Sequence, residues 1–316
     1  MKKRYHLFTV MGVLIIGLIL GSFFDLQINQ AIFVKDNWFG LWMASFGVYP
    51  CYMGLAFAGG ALFLVGLKRK ELPLWGKILS FFFAFLAFGM SIYLCGKEFP
   101  SPNGYNVPHL AWLGYLLAGI FMAGSFALGF LLLRKGDLKM ITRMCILILV
   151  IFTIALLPPG FLIKLVIHRP RYRYAVRSGL TAYYNWWEMF PEYKNYISTA
   201  ENPIFVEGFE ITKEEFKSFP SGHSGTGAIM MMFLPYFAMV FKKLRGKETL
   251  LFYIGFVWAL IMMFSRMLVG AHYLTDTCMG SLFVVVVYYV VNEFALHKKL
   301  FDDPVEEIQP EAAPQE

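Results

Sequence analysis

Charge is scarce in this sequence. Asp, Glu, Lys and Arg make up 16% of its 316 residues, the hydrophobic class makes up 58%, and mean hydropathy is +0.58. Soluble domains are rarely so apolar, so the composition implies an integral membrane protein. The formal net charge is +7, yet no single basic patch accounts for it. Lys and Arg fall in short clusters between apolar runs, which argues against a nucleic-acid partner and suits loops at a membrane surface. Cysteine is also sparse. Cys51, Cys95, Cys145 and Cys278 lie in or beside apolar runs, none at metal-ligand spacing. They read as packing residues and leave no cysteine-ligated metal. There is no Asn-x-Ser/Thr sequon and no internal repeat.

Long apolar runs are what the chain has instead. A helix of about 20 apolar residues crosses a bilayer. Runs of that order cover 7–24, 41–67, 74–95, 110–133, 144–167, 224–241, 250–270 and 273–296, which predicts about eight spans and an all-α polytopic transmembrane bundle. The basic start, Met1 to Arg4, resembles the opening of a signal peptide. No small-residue cleavage site precedes Asp25, so the first run reads as a retained span. Residues 1–139 form N-terminal membrane helices in this reading, 140–300 a membrane core with a long connection at 168–222, and 301–316 an acidic disordered tail. Pro50, Pro158-Pro159 and Pro235 are expected to kink or interrupt their helices.

The connections alternate in charge. One set carries Lys2-Lys3-Arg4, Lys68-Arg69-Lys70, Arg134-Lys135 with Lys139, Lys242-Lys243 with Arg245 and Lys247, and Lys298-Lys299; the other carries little beyond Lys35 and Lys97. The positive-inside rule then places both termini in the cytoplasm and puts 168–222 and the Gly270-Ala271 turn at the outer face of the cell membrane. Within the long connection, Tyr183, Tyr184, Trp186, Trp187 and Phe190 suit the headgroup layer. They read either as a cover over a site or as a docked surface helix.

Three clusters carry chemistry, each at the edge of an apolar run: Lys164 to Arg171, Pro220-Ser221-Gly222-His223, and Ser265-Arg266 with His272 and Asp276. Charged residues at the margin of a span are costly and imply function. Lys164, Arg171 and Arg266 are cations suited to a phosphate clamp. Ser221, Gly222 and His223 open an apolar helix, whose N-terminal amides bind anions. His272 and Asp276 are four apart and share a helix face, so the carboxylate can orient the imidazole. That leaves two histidines for two jobs, attack on phosphorus and protonation of the leaving oxygen. Taken singly, each has a plainer reading: a snorkelling Lys, a packed His, a capping Asp. Together, on one membrane face, they favour phosphoryl transfer. His168 stands outside the pattern, and His6, His109 and His297 read as interfacial.

The clusters resemble the three-part signature of the type 2 phosphatidic acid phosphatase (PAP2) superfamily: K-x6-R-P, P-S-G-H and S-R-x5-H-x3-D. The second and third parts match in full. The first matches at Lys164 and Arg171, but Tyr172 stands where the family has Pro; Arg169-Pro170 lies too close to Lys164 and is held in reserve. The resemblance implies a lipid phosphatase that needs no metal or cofactor. In it His272 is the nucleophile, Asp276 its partner and His223 the general acid. Lys164, Arg171, Ser221, Gly222 and Arg266 hold the phosphate. A site at the outer interface points to lipid phosphates as substrates; in a bacterium the candidates are undecaprenyl pyrophosphate and phosphatidylglycerol phosphate, then phosphatidic acid. A phosphotransferase and a non-catalytic lipid-phosphate binder are the alternatives. The family core has six helices, which makes the first two spans here candidate additions.

Overall fold

The structure is a computed structural model that describes residues 5–156, 162–177, 183–199, 201–206 and 208–298. It is 76% helical with almost no strand, the all-α polytopic bundle that composition implies. The N-terminal half supplies α1 (Tyr5–Ile32), α2 (Trp38–Phe46), α3 (Tyr49–Lys68), α4 (Leu74–Gly96) and α5 (Ala111–Leu133). There follow α6 (Leu138–Leu156), two short helices α7 (Lys164–Ile167) and α8 (Tyr172–Arg177), then α9 (Gly222–Val240), α10 (Glu248–Leu268) and α11 (Leu274–His297).

Among the described residues, seven helical segments are long and apolar enough to cross a membrane. The expected eighth span, 224–241, is the exception. It is helical as α9, but its first residues, Gly222-His-Ser-Gly-Thr-Gly227, dilute its hydropathy. It can carry that polarity because protein surrounds it: α9 packs against α10, α11, α6 and α3, and most of its residues are buried. The run at 41–67 is two helices, broken at Gly47-Val48. Asn37 caps the first, accepting from Gly40 N at 3.0 Å. Pro50 lies in the first turn of α3, where its missing N–H is not needed, so it starts a helix and does not kink one. Pro235 sits inside α9, which continues through it and is not interrupted there, whereas Pro158-Pro159 lie outside the described residues. So does the acidic tail.

The two halves of the chain interlock. The first helix packs along the last, α1 on α11, and α3 packs on α4, α5 and α6. The connection at 168–222 has its own small core of Tyr174, Phe190, Ile211 and Phe216, and a short antiparallel hairpin that pairs Phe205 with Glu210. The aromatic segment 183–190 is not a surface helix. Trp186 stacks on Phe219 with ring centroids 5.5 Å apart and donates to Ser22 Oγ at 2.9 Å, while Trp187 and Met189 are exposed.

Candidate active site

The three clusters meet at one end of the bundle. Helix α9 begins at Gly222, after Ser221, whose Oγ accepts from Ser224 N at 3.2 Å and from Ser224 Oγ at 2.9 Å. Both contacts use the oxygen as acceptor and leave its own hydrogen to donate elsewhere. Ser221 N donates to Asp276 O at 2.9 Å, tying the second cluster to the third. Gly222 is exposed, and a Cβ built on it would meet nothing within 4 Å except Lys164 Nζ at 3.9 Å. A helix N-terminus with an open glycine and a lysine over it has the donors and the space that an anion requires.

The half-buried Lys164 and the buried Arg171 and Arg266 lack what such cations normally have. Neighbouring carboxylates are engaged elsewhere: Asp25 and Asp276 with Arg169, Glu215 with Arg173, Glu214 with Lys217, and Glu98 with His223. Among the described residues, no ion pair falls on any of the three cations. Arg171 donates instead to carbonyls, Glu214 O at 2.9 Å and Ala271 O at 2.8 Å. Arg266 donates to Gly40 O at 3.1 Å and Asn103 O at 3.3 Å, and its buried Nε has no partner among the described residues. Burial and then the neighbouring Arg171 push Lys164 down to about 8; burial and then Arg173 push Arg171 down to about 10. Such a cluster stabilises an anion brought among it. Ser265 is different: its hydroxyl bonds back to Met262 O at 2.7 Å, so it is satisfied within its own helix.

His272 follows the Gly270-Ala271 turn, where Gly270 adopts φ +62°. Its Nδ1 lies 2.6 Å from Ser218 O, and its Nε2 lies 3.2 Å from Arg171 Nη1. A carbonyl can only accept, so the proton belongs on Nδ1 and the lone pair on Nε2 faces the cations. Asp276 Oδ2 is 3.7 Å from Nδ1. The direct orienting contact expected of Asp276 is therefore made by the Ser218 carbonyl, and Asp276 acts on the ring through its charge. Burial pushes the imidazole well below its usual range, and Asp276 opposes that.

Arg169 has a role that its spacing did not suggest. Its side chain is fully buried and all its donor groups are matched: Nε to Tyr184 O (2.9 Å), Nη1 to Thr275 Oγ1 (2.8 Å) and Asp276 Oδ1 (2.6 Å), Nη2 to Asp25 Oδ2 (3.0 Å) and Tyr183 OH (3.2 Å). Its guanidinium also lies 4.0 Å from the Tyr273 ring centroid. A guanidinium with five N–H groups and five acceptors has none left for phosphate. Burial works against its charge, but Asp276 and Asp25 raise it above its ordinary value.

His223 is held from the N-terminal half, which sequence reasoning left out of the site. Its Nε2 lies 3.1 Å from Ala44 O, in α2, and 3.4 Å from Glu98 Oε2, just after α4. Burial pushes the imidazole down, and Glu98 pushes it back up. Burial alone would raise the Glu98 carboxyl, but His223, Lys97 and Arg266 bring it below its usual value, so it stays charged at neutral pH. The backbone carbonyls of Gly40, Ala44 and Asn103 carry no sequence signature. Glu98, beside Lys97, belongs to none of the three sequence clusters. His168, stacked on Tyr193 at 3.8 Å, and His6, 2.8 Å from Tyr253 OH, engage other partners.

Tyr172, the departure from the motif, is buried at the start of α8, edge-on to Phe33 and Tyr273 with centroids 5.3 Å and 6.0 Å away. Proline fits the first position of a helix, so the backbone tolerates the family residue. The ring contacts would be lost. Tyr172→Pro is expected to lower stability by about 2–4 kcal/mol, read as an earlier thermal transition in detergent, with phosphate release per folded molecule within about threefold of wild type.

Residues 142–298 match the model of the PAP2 superfamily, and the chain belongs to that superfamily. With it comes a phosphatase-type function in a helical, membrane-embedded protein. No curated protein and no solved structure matches the chain. The matched region holds all three clusters and ends before the acidic tail; Asp25, Gly40, Ala44, Glu98 and Asn103 lie outside it.

Proposed function

We propose that the protein is an integral membrane lipid phosphatase that hydrolyses a phosphate monoester or pyrophosphate of a lipid through a phosphohistidine. The observation that carries this is the pairing of an unprotonated His272 Nε2, set by the Ser218 carbonyl, with cations that form no ion pair among the described residues. The phosphate sits at the α9 N-terminus, against the Gly222 amide and the Ser221 hydroxyl, with Lys164, Arg171 and Arg266 around its oxygens. Nε2 attacks phosphorus as the bond to the leaving oxygen breaks, and His223 gives that oxygen a proton. The ring becomes a cationic phosphohistidine, with Nδ1–H still on Ser218 O and the Asp276 charge nearby. Water then attacks phosphorus, gives its proton to His223 and releases inorganic phosphate, which frees His272.

The Lys and Arg distribution supports cytoplasmic termini and a site at the outer membrane face, open laterally to a lipid headgroup. Undecaprenyl pyrophosphate, phosphatidylglycerol phosphate and phosphatidic acid are the substrates to offer. Because cations ring the proposed phosphate seat, a divalent metal is not needed there and would be repelled. The test is phosphate release from these lipids by purified protein in detergent with EDTA present. Release from at least one lipid, undiminished by EDTA, is expected. Release from none, or release lost in EDTA and restored by a divalent cation, overturns the reading.

A further inference from the structure

Arg169 stands between two carboxylates, and the family signature contains only one of them. We infer that the other, Asp25 of α1, is a positioning residue that sets how much of the Asp276 charge reaches His272. The inference rests on the reading of His272 and Asp276 just given.

Asp25 is the only Asp, Glu, Lys or Arg in the 28 residues of α1, and it is buried. An acid in an apolar span is costly, and a well-packed leucine would serve stability better, so its presence points to function. Its contacts say which. Oδ2 takes one edge of Arg169 at 3.0 Å and the Thr275 hydroxyl; Oδ1 accepts from Thr275 N at 3.1 Å. Thr275 is the residue before Asp276. One turn further along α1, Asn29 Nδ2 donates to His272 O at 3.1 Å. One face of the first helix thus braces the His272–Asp276 segment at both ends.

The charge count gives the second half of the argument. Arg169 brings one positive charge to two carboxylates, Asp25 at 3.0 Å and Asp276 at 2.6 Å. Shared between them, it leaves the trio with a net negative charge, part of which sits on Asp276, 3.7 Å from His272 Nδ1. Without the charge on Asp25, Arg169 belongs to Asp276 alone, and Asp276 supports an imidazolium less. Without both Asp25 and Arg169 charges, Asp276 is free to support it more. The other charged groups facing His272, Arg171 and Lys164, are the same in every case.

The two substitutions therefore predict opposite shifts, which a packing role would not produce. The experiment follows the pH titration of His272 in the full-length protein in detergent, using carbon-13-labelled histidine with the His272 signal assigned by its absence in H272A. Lipid phosphate release is measured in parallel. Asp25→Asn is expected to move the titration to lower pH by on the order of one unit. The acid limb of kcat/KM should follow, with kcat down about fivefold and KM nearly unchanged. Asp25→Asn with Arg169→Gln is expected to move the titration to higher pH, and it keeps the test available if the single variant does not fold, because the charge pair is removed as a unit. No shift in a folded variant, or shifts of the same sign in both, overturns the inference. Opposite shifts in a protein whose wild type releases no phosphate would support the role of Asp25 while sinking the phosphatase reading.

Discussion

His272→Ala is expected to cut phosphate release by at least ~10³-fold while the protein still reaches the membrane and keeps its thermal transition. The size follows from the proposed chemistry. With no nitrogen at that place, the covalent route is closed, and what remains is the clamp of cations acting on a water molecule. A second readout separates loss of a nucleophile from loss of a binding contact. Wild-type protein quenched during turnover of a phosphate-labelled lipid should carry an acid-labile label on the protein, and the Ala variant should carry none. Residual turnover near the wild-type level would remove His272 as the attacking group.

Glu98→Gln is the second large effect, and it concerns a residue outside the family-matched region. A general acid contributes ~10²–10⁴-fold when it is positioned and protonated. Glu98 serves both needs of His223. It lies 3.4 Å from Nε2, and its charge raises the basicity that burial and Arg266 lower. His223 must be protonated to serve the leaving group, so activity falls as pH rises through its pKa. Removing the Glu98 charge lowers that pKa. The basic limb of the kcat/KM profile is therefore expected to move to lower pH by about one unit. Turnover at neutral pH should drop on the order of 10²-fold. An unmoved limb with equal loss at every pH would mean that Glu98 only supports the loop.

What was legible in the chain was the chemistry with a fixed spacing. Lys164, Arg171, Ser221, Gly222, His223, Arg266, His272 and Asp276 stood out through charge at span margins and through the three-part family signature, which alone singled out Arg171 over Arg169. The support behind them was harder to read, for two different reasons. Gly40, Ala44, Asn103 and Ser218 act through carbonyl oxygens, which every residue has, so no side-chain pattern marks them. Arg169 and Arg171 are chemically alike and two apart; only their surroundings tell the one held between two carboxylates from the one bonded to carbonyls. Asp25 is the case where a signal was present. A lone acid in an apolar helix is an anomaly worth following, and it lay just past the end of the apolar run at 7–24. The helical fold was clear from composition. The polar opening of α9, which sets it apart from the seven more apolar segments, could be read as well, since a helix that starts with Gly-His-Ser-Gly-Thr-Gly must find protein neighbours more than lipid ones.

The embrace of α1 and α11 bears on how the protein is made. A ribosome delivers the first helix long before the last, and the two must wait for each other in the membrane. Until α11 arrives, Asp25 and Asn29 have neither Thr275 nor the His272 carbonyl to bind. Until 168–222 has been made, Asp25 has no Arg169. A bare carboxylate in a newly inserted span is poorly tolerated, so the nascent chain has reason to keep α1 at a protein or water boundary until synthesis is complete. Catalytic competence then becomes a report on finished assembly, because the contact that closes the bundle is the one that braces the proposed nucleophile.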